Sequence, residues 1–212
     1  MEIQIALDRI PLDRAVHLTA VVAAHADWIE VGTSLIKHYG MAGLREVVEA
    51  ADGTPVMADL KTVDDAEFEL TLAYDNGASS VTVLGLAPAV THDAALQLSG
   101  DCGRELVLDL MGLSREQVMV LVDRMPSSVV LCPHVSKDAQ SVGGRPEELL
   151  GSWARGRKVA LAGGITAADL PGLRALPDLR VIVGSAVTRA PDPVGEMLAL
   201  RRAAQEGGRD DT

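Results

Sequence analysis

VMADLKTVD, residues 56–64, begins as an apolar run after a proline and ends in three ionisable groups. On a β-strand Asp59 and Lys61 are two residues apart, so both side chains point to the same face as Met57. A carboxylate and an ammonium at the end of a buried strand are unfavourable unless they are paired, solvated or bound to a ligand. The stretch therefore indicates either a salt bridge that closes a barrel mouth or a catalytic strand end with a lysine at its centre.

Short apolar runs followed by amphipathic stretches repeat along the whole chain. Strands are predicted at 3–8, 28–31, 55–59, 80–84, 105–109, 128–132, 158–162 and 180–183. Helices are predicted at about 11–24, 41–51, 64–76, 87–98, from 114 onward, 146–155, 166–175 and 193–205. Alternating units without a linker predict a single-domain (β/α)8 TIM barrel over residues 1–205, with 206–212 as a flexible C-terminal tail. A doubly wound sheet would usually carry a glycine-rich phosphate turn after its first strand, which this chain lacks.

Composition and charge restrict the class of protein. The chain is 48% hydrophobic but only 2% aromatic, so its core must be aliphatic, as in parallel sheets covered by helices. A net charge of −11 argues against nucleic acid as a partner but allows a small phosphorylated ligand at a local site. The sequence has no apolar run long enough to span a membrane and no basic leader, so we expect a cytoplasmic protein. Cys102 and Cys132 lie in no spacing motif and are expected to be buried thiols.

Ionisable side chains stand at the predicted ends of five strands. They are Asp8, Glu30, the pair of Asp59 and Lys61, Asp109, and His134. Barrel active sites form at this end of the strands, so we expect these residues to converge on one mouth. Neighbouring carboxylates cannot all stay ionised without compensation, which Mg²⁺ bound by Glu30 and Asp59 would provide. The alternative is a salt-bridge cluster centred on Lys61 without a metal.

Two glycine turns follow the last two strands. Gly163-Gly164-Ile165-Thr166 comes after strand seven, and Gly184-Ser185 comes after strand eight. Many barrels bind a phosphate group with backbone N–H groups at this position. Ordinary turn chemistry is the alternative, but two adjacent turns favour a phosphate site.

Short motifs connect these positions. They are Ala6-Leu7-Asp8, Ile29-Glu30-Val31-Gly32-Thr33, the D-x-K-x-x-D pattern of Asp59, Lys61 and Asp64, the residue His134, and the stretches 82–85, 138–140, 162–165 and 183–184. With them the chain resembles the orotidine 5′-phosphate decarboxylase suprafamily over essentially the whole barrel. Glu30-Val31-Gly32-Thr33 is typical of its branch of 3-hexulose-6-phosphate synthases and 3-keto-L-gulonate-6-phosphate decarboxylases.

The resemblance implies a homodimeric lyase that acts on a ketose phosphate through a cis-enediolate. Glu30 and Asp59 would hold Mg²⁺, Lys61 would stabilise the enediolate oxygen and His134 would transfer protons. Asp64 would reach the partner's site across the interface. The resemblance further implies substrate contacts from Asp8, Asp109, Lys137, Gly164, Gly184 and Ser185.

The resemblance leaves two reactions open. Asp109, Thr82-Val83-Leu84-Gly85 and Ser185 are typical of the synthase, which adds formaldehyde to D-ribulose 5-phosphate. Lys137 fits neither pattern, and Asp138-Ala139-Gln140 is closer to the decarboxylase of 3-keto-L-gulonate 6-phosphate. We expect the synthase, with the decarboxylase as the alternative.

Two further interpretations concern the class of protein and the rim of the mouth. A non-catalytic sugar-phosphate-binding barrel is disfavoured because Glu30, Asp59 and Lys61 are all present. His38 and Arg189 are expected near the mouth, where each could contact substrate or remain a solvated surface group.

Overall fold

The computed structural model describes residues 1–176 and 178–205. Its strands are β1 (Glu2–Leu7), β2 (Trp28–Val31), β3 (Val56–Thr62), β4 (Ser80–Leu84), β5 (Glu105–Asp109), β6 (Val130–Cys132), β7 (Val159–Ala162) and β8 (Leu179–Val183). Each strand pairs in parallel with the next, and β8 pairs with β1, so the sheet closes. The predicted single-domain (β/α)8 barrel is confirmed, while the predicted tail at 206–212 lies outside the described residues.

Helices follow the strands and cover the barrel. They are α1 (Leu12–Val22), α2 (Thr33–Ala50), α3 (Ala66–Asp75), α4 (Ala89–Asp101), α5 (Arg115–Arg124), α6 (Lys137–Gln140), α7 (Leu170–Leu173), α8 (Ser185–Thr188) and α9 (Pro193–Gln205), with 3-10 turns at Ala23–His25, Pro146–Leu149 and Ser152–Ala154. A capping box begins α5, because the Ser114 hydroxyl accepts the Gln117 N–H and the Ser114 N–H donates to the Gln117 side chain. None of the helices in the two described ranges has the length and apolar character needed to cross a membrane.

Two predicted helices were wrong in extent, and a third forms part of a longer element. The predicted helix 146–155 is two 3-10 turns separated by Gly151, which is extended (φ −130°, ψ −178°). The predicted helix 166–175 shrinks to α7, because the Thr166 N–H and hydroxyl both donate to Asp169 and close a turn before Pro171. The helix predicted at 41–51 is present as the second part of α2, which Gly40 (φ 61°, ψ −156°) separates from a first part that begins at Thr33 and was not predicted.

The barrel interior below the mouth is filled in two layers. An apolar layer consists of Met57, Val107, Val130, Cys132, Ala160, Ala162 and Ile182. Below it Arg180 lies 4.0 Å above the Trp28 ring and donates to Glu2 at 2.9 Å and to Glu105 at 2.8 Å. These two layers separate the C-terminal ends of the strands from the N-terminal end, where Arg180, Trp28, Glu2 and Glu105 line a second cavity. Cys132 is buried as predicted, but the same prediction was wrong for Cys102, which caps the exposed end of α4.

Candidate active site

The C-terminal ends of the strands surround a cavity of about 570 Å³. The predicted site residues that line it are Asp8, Glu30, Asp59, Lys61, His134, Lys137, Gly164, Gly184, Ser185 and Arg189. The convergence of ionisable strand ends inferred from the sequence is therefore present. His38 is exposed and stacks edge-on against Tyr39, with 4.4 Å between the ring centroids.

Two predicted site residues lie elsewhere. Asp109 is only 2% exposed and lies behind Lys61 and His134, to which it is hydrogen-bonded. The cavity wall is formed by those two side chains rather than by the Asp109 carboxylate. Asp64 is exposed in the turn after β3, where it accepts the N–H of Asp65.

An irregular segment of β3 carries the lysine at the centre of the site. Ala58 pairs with Val81 and Thr62 pairs with Val83, so the three residues 59–61 lie opposite Thr82 alone. Lys61 has a φ of 51°, a left-handed conformation that costs a non-glycine residue about 1–2 kcal/mol. The contacts of its ammonium with two buried carboxylates must offset this cost.

Lys61 lies between Asp59 and Asp109. Its Nζ is 2.9 and 3.0 Å from the two carboxylate oxygens of Asp59 and 2.6 Å from Oδ2 of Asp109. Burial alone would lower the pKa of Lys61, but the charges of Asp59 and Asp109 outweigh burial and raise it. For Asp109 the directions are reversed: burial alone would raise its pKa, but the hydrogen bond from His134 and the charge of Lys61 outweigh burial and lower the pKa to about 2. Lys61 and Asp109 are therefore both ionised at neutral pH.

His134 is oriented by the same carboxylate. Its Nδ1 is 2.9 Å from Asp109 Oδ2, while Asp109 Oδ1 accepts the N–H of Met111 at 2.9 Å. Because an ionised carboxylate can only accept, it selects the tautomer with the proton on Nδ1. Nε2 of His134 is then the nitrogen free to exchange a proton with a bound ligand.

Glu30 and Asp59 form the carboxylate side of the cavity. Burial, and then the charge of Asp59, raise the pKa of Glu30 to about 8, although Gln4 Nε2 donates to its Oε2 at 2.6 Å. Asp59 accepts hydrogen bonds from the hydroxyls of Thr33 at 2.7 Å and Thr82 at 2.8 Å. The sequence had given no sign of these two threonine contacts.

This donor set fits Mg²⁺. Burial and the charge of Asp59 raise the Glu30 pKa, and a cation between Glu30 and Asp59 would relieve the part that comes from their repulsion. Mg²⁺ is usually bound by one or two carboxylates and completes its shell with water and substrate oxygens. Within residues 1–176 and 178–205, no group of three or more His, Cys, Asp or Glu side chains is arranged as a metal site. A cation here would therefore depend on these two carboxylates and on oxygens from a ligand.

The glycine turns and several cations line the rest of the cavity. Gly163 (φ 129°) and Gly164 (φ 77°) adopt conformations that favour glycine, and a Cβ on Gly163 would lie 3.0 Å from the Val135 carbonyl oxygen. Arg9 and Lys37 line the cavity together with the turns, although neither residue was predicted from the sequence. Their charges suit an anionic ligand, although the chain as a whole is acidic.

The glycine of the E-V-G-T motif has a steric role. A Cβ on Gly32 would lie 2.7 Å from the Leu7 carbonyl oxygen and 2.9 Å from the Asp8 carboxylate. The close approach lets Ser34 donate from both its hydroxyl and its N–H to the Asp8 carboxylate. The motif thus holds Asp8 in place at the rim of the cavity.

Residues 1–200 match the family described as orotidine 5′-phosphate decarboxylase / HUMPS. The chain belongs to this family. Among its relatives, a 3-hexulose-6-phosphate synthase of Staphylococcus epidermidis is 34% identical over 98% of this chain and 100% of that protein. The family resemblance found in the motifs is therefore confirmed.

Solved structures of family members superpose on the whole barrel. The crystal structure of 3-hexulose-6-phosphate synthase from Salmonella typhimurium has a TM-score of 0.90 and 31% identity, covering 97% of this chain and 99% of that one. A 3-keto-L-gulonate-6-phosphate decarboxylase from Vibrio cholerae has a TM-score of 0.81 and 25% identity, covering 97% of both chains. The synthase and the decarboxylase, the two kinds of enzyme that the motifs of this chain resemble, thus share this architecture.

Proposed function

We propose that this protein is a Mg²⁺-dependent aldehyde-lyase that adds formaldehyde to D-ribulose 5-phosphate, as a 3-hexulose-6-phosphate synthase. The observation that carries the proposal is that Asp59, Lys61 and His134 line a cavity together with glycine turns and cations, while the buried Asp109 carboxylate holds Lys61 and His134 from behind. The synthase is favoured over the decarboxylase because relatives at 34% and 31% identity carry the synthase name.

The proposed reaction begins with removal of a proton from C1 of ribulose 5-phosphate. Nε2 of His134 accepts this proton, because Asp109 holds the ring with its proton on Nδ1. The Lys61 ammonium stabilises the enediolate oxygen as negative charge develops. Mg²⁺ held by Glu30 and Asp59 would supply further electrostatic stabilisation of that charge.

Bond formation follows from the same arrangement. C1 of the enediolate attacks the formaldehyde carbon, and a new carbon–carbon bond replaces the π bond of the aldehyde. The resulting alkoxide takes back the proton that His134 had accepted, so protons balance over the cycle. In the decarboxylase alternative, loss of CO₂ from 3-keto-L-gulonate 6-phosphate would form the same kind of intermediate, which would then be protonated.

Asp109 acts in this scheme as a positioning residue. Its buried carboxylate contacts Lys61 and His134 and does not line the cavity. The substrate contact that the family resemblance implied for Asp109 is therefore replaced in the proposal by orientation of those two side chains. Contacts from Asp8 and Lys137 to substrate hydroxyls, and from Gly164, Gly184 and Ser185 to phosphate, remain part of the proposal.

A homodimer is also part of the proposal. The α3–α4 apolar patch, defined as Val63, Phe68, Leu72, Leu86 and Val90, lies on or just before two helices that pack against each other. Phe68 is the only phenylalanine of the chain, and 63% of its surface is exposed. Contiguous exposed apolar groups commonly mark protein interfaces. A second copy seated on this patch would bring Asp64, the neighbour of Val63, towards the partner's cavity.

A cytoplasmic location completes the proposal. Cys102 is an exposed free thiol, which suits a reducing compartment better than an oxidising one.

Parallel assays of both reactions test the proposed function. We expect conversion of formaldehyde and ribulose 5-phosphate in the presence of Mg²⁺ and loss of this activity with EDTA. Glu30→Gln should raise the Mg²⁺ concentration that is needed, whereas Glu46→Gln on the exposed surface of α2 serves as the matched control. Faster decarboxylation of 3-keto-L-gulonate 6-phosphate would favour the alternative reaction. Binding of ribulose 5-phosphate with neither reaction would indicate a non-catalytic barrel.

A further inference from the structure

We propose that Thr82 is a positioning residue that holds Lys61 and Asp59 in their working geometry through one hydroxyl group. This inference rests on the proposed function, in which Lys61 stabilises the enediolate. Thr82 lies on β4 and is only 2% exposed, and it does not line the cavity. Any effect on the reaction must therefore pass through its neighbours.

The Thr82 hydroxyl makes two hydrogen bonds of opposite direction. It accepts the main-chain N–H of Lys61 at 2.9 Å and donates to Oδ1 of Asp59 at 2.8 Å. A hydroxyl can do both because it has one donor hydrogen and two acceptor lone pairs. One side chain thereby fixes the backbone of the lysine and the carboxylate that the lysine ammonium contacts.

The strand pairing explains why a side chain is needed here. Three residues of β3 lie opposite Thr82 alone, and regular pairing resumes at Thr62 and Val83. At such a bulge the ladder is disrupted, so an N–H in the bulged strand needs another acceptor. The Thr82 hydroxyl is that acceptor for Lys61, whose backbone is in the left-handed region.

Loss of this support has a defined consequence. Without the hydroxyl, Lys61 loses the bond that retains its unfavourable backbone conformation, and Asp59 loses a donor that orients its carboxylate. The ammonium would then no longer be held at one position relative to the substrate. Rate depends on such placement, so kcat should fall while binding of the phosphate end, and with it KM, should change little.

Substitution of Thr82 separates the hydroxyl from simple packing. Thr82→Val keeps the shape and is expected to lower kcat by about 10- to 100-fold, the usual effect of removing an orienting group behind a site. Thr82→Ser keeps the hydroxyl and should retain most of the wild-type kcat. Thr19→Val removes a buried hydroxyl from α1, where Thr19 bonds the Ala15 carbonyl, and it should leave kcat unchanged.

Amide hydrogen exchange in the metal-free protein gives a readout that is independent of turnover. Peptides spanning residues 56–64 should exchange faster in Thr82→Val than in wild type or Thr82→Ser, because the Lys61 N–H loses its acceptor. If Thr82→Val does not fold, Thr82→Ala takes its place in the comparison with Thr82→Ser.

Two results would overturn the proposal. One is a wild-type kcat in Thr82→Val, and the other is equal impairment of the valine and serine variants together with unchanged exchange at 56–64. An inactive wild-type enzyme would instead refute the proposed function, and the exchange comparison would still decide whether Thr82 holds Lys61.

Discussion

Replacing Asp109 by asparagine is expected to reduce stability at neutral pH but to matter less in acid. The pKa of this carboxyl is lowered from 3.8 to about 2, because the His134 hydrogen bond and the Lys61 charge outweigh its burial. A shift of this size corresponds to about 2–3 kcal/mol of folding stability. A carboxyl with a lowered folded-state pKa contributes this stability above its unfolded-state pKa and loses it as the pH falls towards the folded-state value. We therefore expect a loss of about 2–3 kcal/mol at pH 7 and about half of that at pH 3.

Urea unfolding followed by circular dichroism measures this difference from pH 7 down to pH 3. Asp93→Asn is the matched control, because Asp93 pairs with Arg124 while 67% of its side-chain surface is exposed. Exposed ion pairs usually contribute less than about 1 kcal/mol, so the control should change little at any of these pH values. The same loss in Asp109→Asn at pH 7 and pH 3, or no loss at either, would refute the ionic role of Asp109.

Three other perturbations test separate parts of the site. Lys61→Ala should lower kcat by about 10³-fold, the scale of a lost oxyanion donor, and turnover near wild type would contradict the enediolate mechanism. Gln4→Leu removes the donor to Glu30 and should raise the Mg²⁺ concentration for half-maximal activity by about 10-fold. An unchanged Mg²⁺ concentration would show that this hydrogen bond does not orient the Glu30 carboxylate. Phe68→Glu places a charge in the α3–α4 apolar patch and should give monomers in sedimentation experiments. Its kcat should also fall, because each cavity then lacks the partner's Asp64. An intact dimer would show that the interface lies elsewhere.

The sequence predicted the barrel well because its strands are continuous apolar runs with charged or glycine ends. Several predicted strands differ from those observed by only one or two residues at either end, and the last helix, Pro193–Gln205, has the predicted bounds. The convergence of Asp8, Glu30, Lys61 and His134 could be predicted without knowing any side-chain conformation, because barrel topology alone brings the strand ends together.

Other features depend on tertiary structure that periodicity does not encode. The segment 146–155 has helical spacing, yet the chain forms 3-10 turns there because Gly151 is extended. The two-residue spacing of Asp59 and Lys61 indicated a regular strand, whereas Lys61 has a positive φ in an irregular segment. The acceptor for its N–H comes from Thr82, on another strand, and no local pattern marks that residue.

The closed strand order also determines when a nascent or refolding chain can acquire its site. β1 pairs with β8, so Glu2 lies beside Arg180. Residues that line the cavity extend from Ala6 to Arg189. The cavity is therefore complete only after β8 has paired with β1. Contacts so distant in sequence form slowly, because the entropy of closing the intervening chain must be lost first. During synthesis, ligand binding should therefore appear only after nearly the whole chain has left the ribosome, and during refolding it should lag behind the recovery of helix signal.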